Sequence, residues 1–139
     1  MMENQKSIKN IFDNGTWYHS VQFEDIKSKG TFDYTSLIYE LNFPYMNNLN
    51  VLDVGCSDGF FSQFFLKELG AKHVKGIDFN NYDGSVAFDV LSSKKDDYEK
   101  KYDSHNDYEE LKEDYKKLGL NDSNKFLLLK KINNLNMDF

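Results

Sequence analysis

The residues best placed to do chemistry lie between Val51 and Ser62, in the run Val-Leu-Asp-Val-Gly-Cys-Ser-Asp-Gly-Phe-Phe-Ser. Asp53 stands two residues before Gly55, and Gly59 closes a four-residue step after it. Gly55 lets the chain bend sharply and leaves no Cβ between the backbone and an approaching ligand. Gly59 opens a helical pattern, and the free N–H groups of a helix start favour a negatively charged or electron-rich group. Asp53 is an anionic acceptor suited to an ammonium. Asp78 follows Gly59 by about twenty residues, where an acid can accept both hydroxyls of a ribose. Phe79 beside it could lie against a flat base.

The same residues fit a dinucleotide fingerprint poorly. Ser57 occupies the place of the glycine that admits a pyrophosphate, and Asp58 adds negative charge beside it. A ligand with an amino-acid part and a nucleoside, but no phosphate, fits better; S-adenosylmethionine is one. Its ammonium would face Asp53 and its ribose Asp78. The competing bland reading is an ordinary strand–helix turn with capping acids. Cys56 reads as a small turn residue, because no partner base for a nucleophile is visible. His19, His73 and His105 are scattered and form no metal-ligand spacing. His73 reads as structural, whereas His19 is a candidate for a place over the site.

Positioning these residues takes a strand–turn–helix–strand unit. Asn50 to Val54 reads as a buried strand, Phe60 to Leu69 as a helix ended by Gly70, and His73 to Ile77 as a second strand. This is the footprint of a βαβ module with a parallel sheet. Ahead of it, residues 4–14 predict an amphipathic helix through Ile8, Ile11 and Phe12, and Trp17 to Phe23 an extended segment. Thr31 reads as the N-cap of a helix through Tyr34, Leu37, Ile38 and Leu41, closed by Pro44. Behind it, Val86 to Leu91 reads as a short helix or strand. Ser92 to Asp107 reads as a solvated charged segment, and Asp107 to Leu118 as a helix capped by Gly119. Phe126 to Leu129 is expected to be a third strand. Residues 1–45 thus form a lead-in and 46–139 one half of a Rossmann-like α/β domain.

The chain has 139 residues, a formal net charge of -6 and one cysteine. Its length allows one domain, and 40% hydrophobic residues supply a core. A lone cysteine excludes an internal disulfide framework and cysteine-cluster zinc. No apolar run has transmembrane or signal-peptide length, so a cytoplasmic protein is expected. All 17 basic residues are lysine, so no guanidinium is available for a bidentate grip. The negative charge opposes association with nucleic-acid phosphates.

Val51 to Ser62, followed by Gly76-Ile77-Asp78, resembles the first two motifs of class I S-adenosylmethionine-dependent methyltransferases. D-x-G-C-x-D-G-F-F-S is similar to a subgroup near the wobble-uridine tRNA methyltransferases. Trp17-Tyr18-His19-Ser20, with Gly30-Thr31, resembles that subgroup's segment ahead of the first motif. The resemblance implies a Rossmann-like methyltransferase using S-adenosylmethionine. Asp53, Gly55, Cys56, Ser57 and Gly59 would line the methionine part, and Asp78 and Phe79 the ribose and adenine. Ile132 and Asn133, just past the expected third strand, would reach the adenine edge. A tRNA acceptor is implied by the resemblance alone and needs positive surface from elsewhere; a small molecule is the other option. The absence of arginine favours the plain cofactor over its carboxylated relative. The chain stops about where the family's fourth strand is expected. That leaves open a non-catalytic cofactor-binding or partner-binding module, with a sheet edge exposed for self-association.

Overall fold

The computed structural model describes residues 2–78, 104–121 and 124–139, with side chains for residues 104–110 left aside. Phe79 and the segments expected at 86–91 and over most of 92–107 fall outside the described residues.

The Rossmann-like unit is present. Strand β5 (Asn50–Val54) runs into a turn, then into a helix, α2 (Phe60–Lys67), and the chain returns as β6 (His73–Ile77). β5 and β6 pair in parallel, Asn50 opposite His73 through Val54 opposite Ile77. α2 forms because Phe60, Phe64 and Phe65 recur at helical spacing and bury one face. Gly70 follows it with φ +77°, the left-handed conformation that ends a helix cheaply.

The lead-in comprises α1 (Glu3–Asn14) and four short strands: β1 (Trp17–His19), β2 (Gln22–Phe23), β3 (Ile26–Lys27) and β4 (Gly30–Phe32). Ile8, Ile11 and Phe12 are buried on α1, as their spacing predicts. α1 packs against α3 (Ser104–Lys117), where Ser7 Oγ and Asn10 Nδ2 donate to the Asp114 carboxylate at 2.8 and 2.6 Å. Thr31 does not cap a helix. It lies in β4, which pairs in parallel with β1, and a short 3₁₀ helix starts only at Leu37. The strand competes successfully because Gly30 sits against the backbone of His19 and Ser20, where any Cβ would overlap.

A second correction concerns the third strand. Phe126 to Leu129 is part of a helix, α4 (Lys125–Asn133), capped by the Asn124 side chain accepting from Leu127 N at 3.1 Å. The third strand is β7 (Met137–Asp138), parallel to β6 through Val74–Met137 and Lys75–Asp138. The sheet order is β5-β6-β7. The run Phe-Leu-Leu-Leu is apolar on all sides because α4 is wedged into the core: Phe126, Leu128 and Leu129 are fully buried. A short apolar run does not by itself distinguish strand from buried helix. His73 is structural here, its Nε2 lying 2.9 Å from the Asp138 carboxylate and tying β6 to β7.

Among the described residues, β5 is paired on one side only, and its outward Leu52 and Val54 are 59% and 72% exposed. No helix among the described residues is long and apolar enough to cross a membrane.

Candidate functional site

Parallel strands gather chemistry at their C-terminal ends, where the loops diverge and leave a crevice. Here that crevice lies beyond Val54 and Ile77, a cleft of about 810 Å³ lined by Tyr18, His19, Tyr34, Val54, Gly55, Ser57, Phe61, Ile77 and Asp78.

The turn after β5 is stitched to the end of β6. Gly55 and Cys56 both donate their N–H to the Ile77 carbonyl, at 2.7 and 3.2 Å. Ser57 then donates its N–H to Asp78 Oδ2 at 2.9 Å. Gly55 has φ +76°, and a Cβ built on it would meet no atom within 4 Å. Its bare face is open to a ligand. Ser57 holds the left-handed conformation too, φ +52°, which is uncommon for a residue with a side chain. Its hydroxyl is buried and, among the described residues, has no hydrogen-bond partner. A left-handed backbone and an orphaned hydroxyl coincide at this one turn.

Asp53, Cys56 and Gly59 lie beside the cleft rather than in its lining. Asp53 accepts from Ser62 Oγ at 2.6 Å. Burial holds its carboxyl above the ordinary range, against the opposing effect of that hydrogen bond; His19 also lowers it and Asp78 raises it. Burial, with the nearby Asp53 and Asp78 charges, pushes the Cys56 thiol up to about 12, so it is no nucleophile at neutral pH. Cys56 Sγ and the Phe126 ring together fill the space over Gly76, where a Cβ would overlap the ring. Phe126 also lies against Gly59 (φ +85°), at 2.9 Å from where a Cβ would stand. The two glycines therefore let one ring from α4 support the whole turn.

Asp58, which the sequence offers only as a charge unfavourable to a pyrophosphate, packs inside the turn. It is 1% exposed and turned back to β1, with Oδ1 2.7 Å from His19 Nδ1 and Oδ2 accepting the His19 N–H at 2.8 Å. Asp58 Oδ1 also accepts the Phe60 N–H at 3.4 Å, near the start of α2. This brings His19 from a distant segment to the cleft, with Tyr18 and Tyr34 beside it. The aromatic members of the wall were missed, because nothing in their spacing links residues 18, 34 and 61. Of the residues expected to bind, Gly55, Ser57 and Asp78 line the cleft. Ile132 and Asn133 do not follow a strand; they lie on α4 and are not among the lining residues.

A family model for FtsJ-like methyltransferases matches residues 26–122, well over half of the chain. The chain belongs to the FtsJ-like methyltransferase family. Searches among curated proteins and among solved structures found no match. FtsJ-like methyltransferases generally use S-adenosylmethionine. The matched span contains the turn of this FtsJ-like chain, Asp53 through Asp78, and excludes Tyr18 and His19 on β1.

The residues present fit that cofactor better than a diphosphate. The Ser57 N–H, a natural phosphate donor, is taken by Asp78. Two carboxylates, Asp53 and Asp78, lie close enough to raise the protonation of one by the charge of the other. Among the described residues, no lysine lines the cleft. A cation with hydroxyl groups suits this surface, and a polyanion does not.

Proposed function

We propose that this chain is an S-adenosylmethionine-dependent methyltransferase domain whose cofactor sits in the cleft at the ends of β5 and β6. The observation that carries the reading is the junction of Gly55, Ser57 and Asp78: an open backbone face, an unpartnered hydroxyl and a carboxylate within one turn. Asp53 would attract the cofactor's ammonium. Gly55 would admit its close approach, and Ser57 Oγ would gain a partner. Asp78 would accept ribose hydroxyls, since a carboxylate has about four acceptor positions. Cys56 and Gly59 shape the turn from beneath, and Phe79 is the proposed neighbour of the adenine. When bound, S-adenosylmethionine supplies a methyl group on a positively charged sulfur, open to displacement by a nucleophile. The protein's share is positioning and electrostatics.

By resemblance, the proposed acceptor is a tRNA base, and a small molecule is the alternative. The net charge of -6 calls for positive surface from a partner if the acceptor is RNA. The edge of β5 that is unpaired among the described residues is where a second copy or another chain would add a strand. A clean monomer at high concentration by light scattering counts against that contact.

Calorimetry with S-adenosylhomocysteine tests the cofactor reading. Wild type should bind, and Asp78→Ala should lose at least about tenfold in affinity, equivalent to about 1.4 kcal/mol. Absence of binding by the wild type refutes it. The second reading is a cofactor-binding module without turnover. Binding without methyl transfer to bulk tRNA or ribonucleosides would select it.

A further inference from the structure

The His19–Asp58 pair is costlier to build than a turn needs. Asp58 is 1% exposed and spends both oxygens on one residue, the His19 backbone N–H and the His19 ring. An ionised carboxylate only accepts, so the neutral ring must carry its proton on Nδ1 and keep a lone pair on Nε2. Neighbours also fix the ring's orientation. It stacks on Phe60 with centroids 5.1 Å apart and planes 25° apart, while Tyr18 and Phe61 meet it edge-on at 4.8 and 5.5 Å. His19 lines the same cleft as Gly55, Ser57 and Asp78. Among the described residues, no hydrogen bond reaches Nε2. One nitrogen is locked by a carboxylate and the other is without a protein partner among the described residues, which is the arrangement of an oriented base.

We propose that His19 is a catalytic base for this site, and that Asp58 is the positioning residue behind it. The proposal rests on the cofactor reading above. The acceptor is an O–H or N–H group rather than a carbon. Its O–H or N–H bond breaks and the proton forms a bond to Nε2. The electron pair so released forms the bond to the methyl carbon, and the carbon–sulfur bond breaks with its pair left on sulfur. His19 then returns the proton to water. The titratable groups that face the ring are Asp58 from the turn, Asp53 from β5, Tyr18 on its own strand and Tyr34 beyond β4.

The test has two readouts on the full chain. Imidazole ¹⁵N NMR of the wild type should show His19 neutral at pH 8 with its proton on Nδ1. Asp58→Asn, whose amide can donate to Nδ1, should move the proton to Nε2. A wild-type ring protonated on Nε2, or still doubly protonated at pH 8, overturns the proposal whether or not cofactor binds. The second readout is transfer of labelled methyl to bulk tRNA and, separately, to the four ribonucleosides, between pH 6 and 9. His19→Asn keeps a donor for Asp58 and removes Nε2; it should lose at least about 100-fold in rate while binding S-adenosylhomocysteine within threefold of wild type. Asp58→Asn should slow transfer and alter its pH profile. Undiminished transfer by His19→Asn overturns the proposal. So does transfer to neither probe by a wild type that binds S-adenosylhomocysteine. Failure of the wild type to bind S-adenosylhomocysteine refutes the cofactor reading instead, and the tautomer then decides whether His19 is built as a base.

Discussion

Replacing Gly55 by alanine separates folding from ligand binding more cleanly than any other single change at the cleft. Two effects follow from its geometry. The backbone stays in the left-handed region, φ +76°, so the new Cβ crowds the following carbonyl. That costs about 1–2 kcal/mol. No steric cost is added by the described residues, because none of their atoms lies within 4 Å of the new carbon. At about 4 °C per kcal/mol for a domain of this size, Tm should fall by about 4–8 °C. The methyl then occupies the open face where the cofactor is proposed to approach. Affinity for S-adenosylhomocysteine should fall at least about tenfold. Gly119→Ala is the control. Its φ of +70° imposes the same backbone cost, its close neighbour among the described residues is the tip of the Lys131 side chain, and it lies outside the cleft lining. Thermal melting of both variants should give similar losses, while calorimetry should show a defect for Gly55→Ala alone. Equal affinity in both variants, with the expected fall in Tm, would refute the placement of the ligand over Gly55.

Three further outcomes follow. Phe126→Ala removes the buried ring that supports Gly59 and Gly76, and chemical denaturation should show a loss of about 3–5 kcal/mol; a loss below about 1 kcal/mol would mean that α4 does not hold the turn. Asp53 has a folded pKa above its ordinary 3.8, so its favourable contribution is full below that value and is lost as pH rises through the folded pKa. Asp53→Asn should therefore gain Tm relative to wild type on going from pH 4 to pH 7, yet bind S-adenosylhomocysteine more weakly; a relative loss of Tm over that range contradicts the burial argument. Cys56, with its thiol near 12, should resist iodoacetamide at pH 8 in the native protein and react on unfolding, as followed by intact mass.

What the sequence determined by itself was local. The strand–turn–helix–strand unit, its glycines and its acid at the second strand's end are legible because each is a short-range requirement: alternation and apolar runs for strands, 3.6-residue spacing for α2, a missing Cβ at Gly55 and Gly70. Gly55, Ser57 and Asp78 met at one turn because consecutive parallel strands place their C-terminal ends together. The tertiary structure decided the rest. Phe126 to Leu129 became helix because its environment is apolar on every side, which a periodicity argument cannot see. β7 was invisible because two residues carry no pattern, and it exists only through pairing with Val74 and Lys75. Thr31 went to a strand because Gly30 packs on the backbone of residues far from it in sequence. The pairing of Asp58 with His19 spans 39 residues, and no rule of spacing links them. That pairing makes Asp58 the anchor of a histidine, because a buried carboxylate must find its donors wherever the fold supplies them.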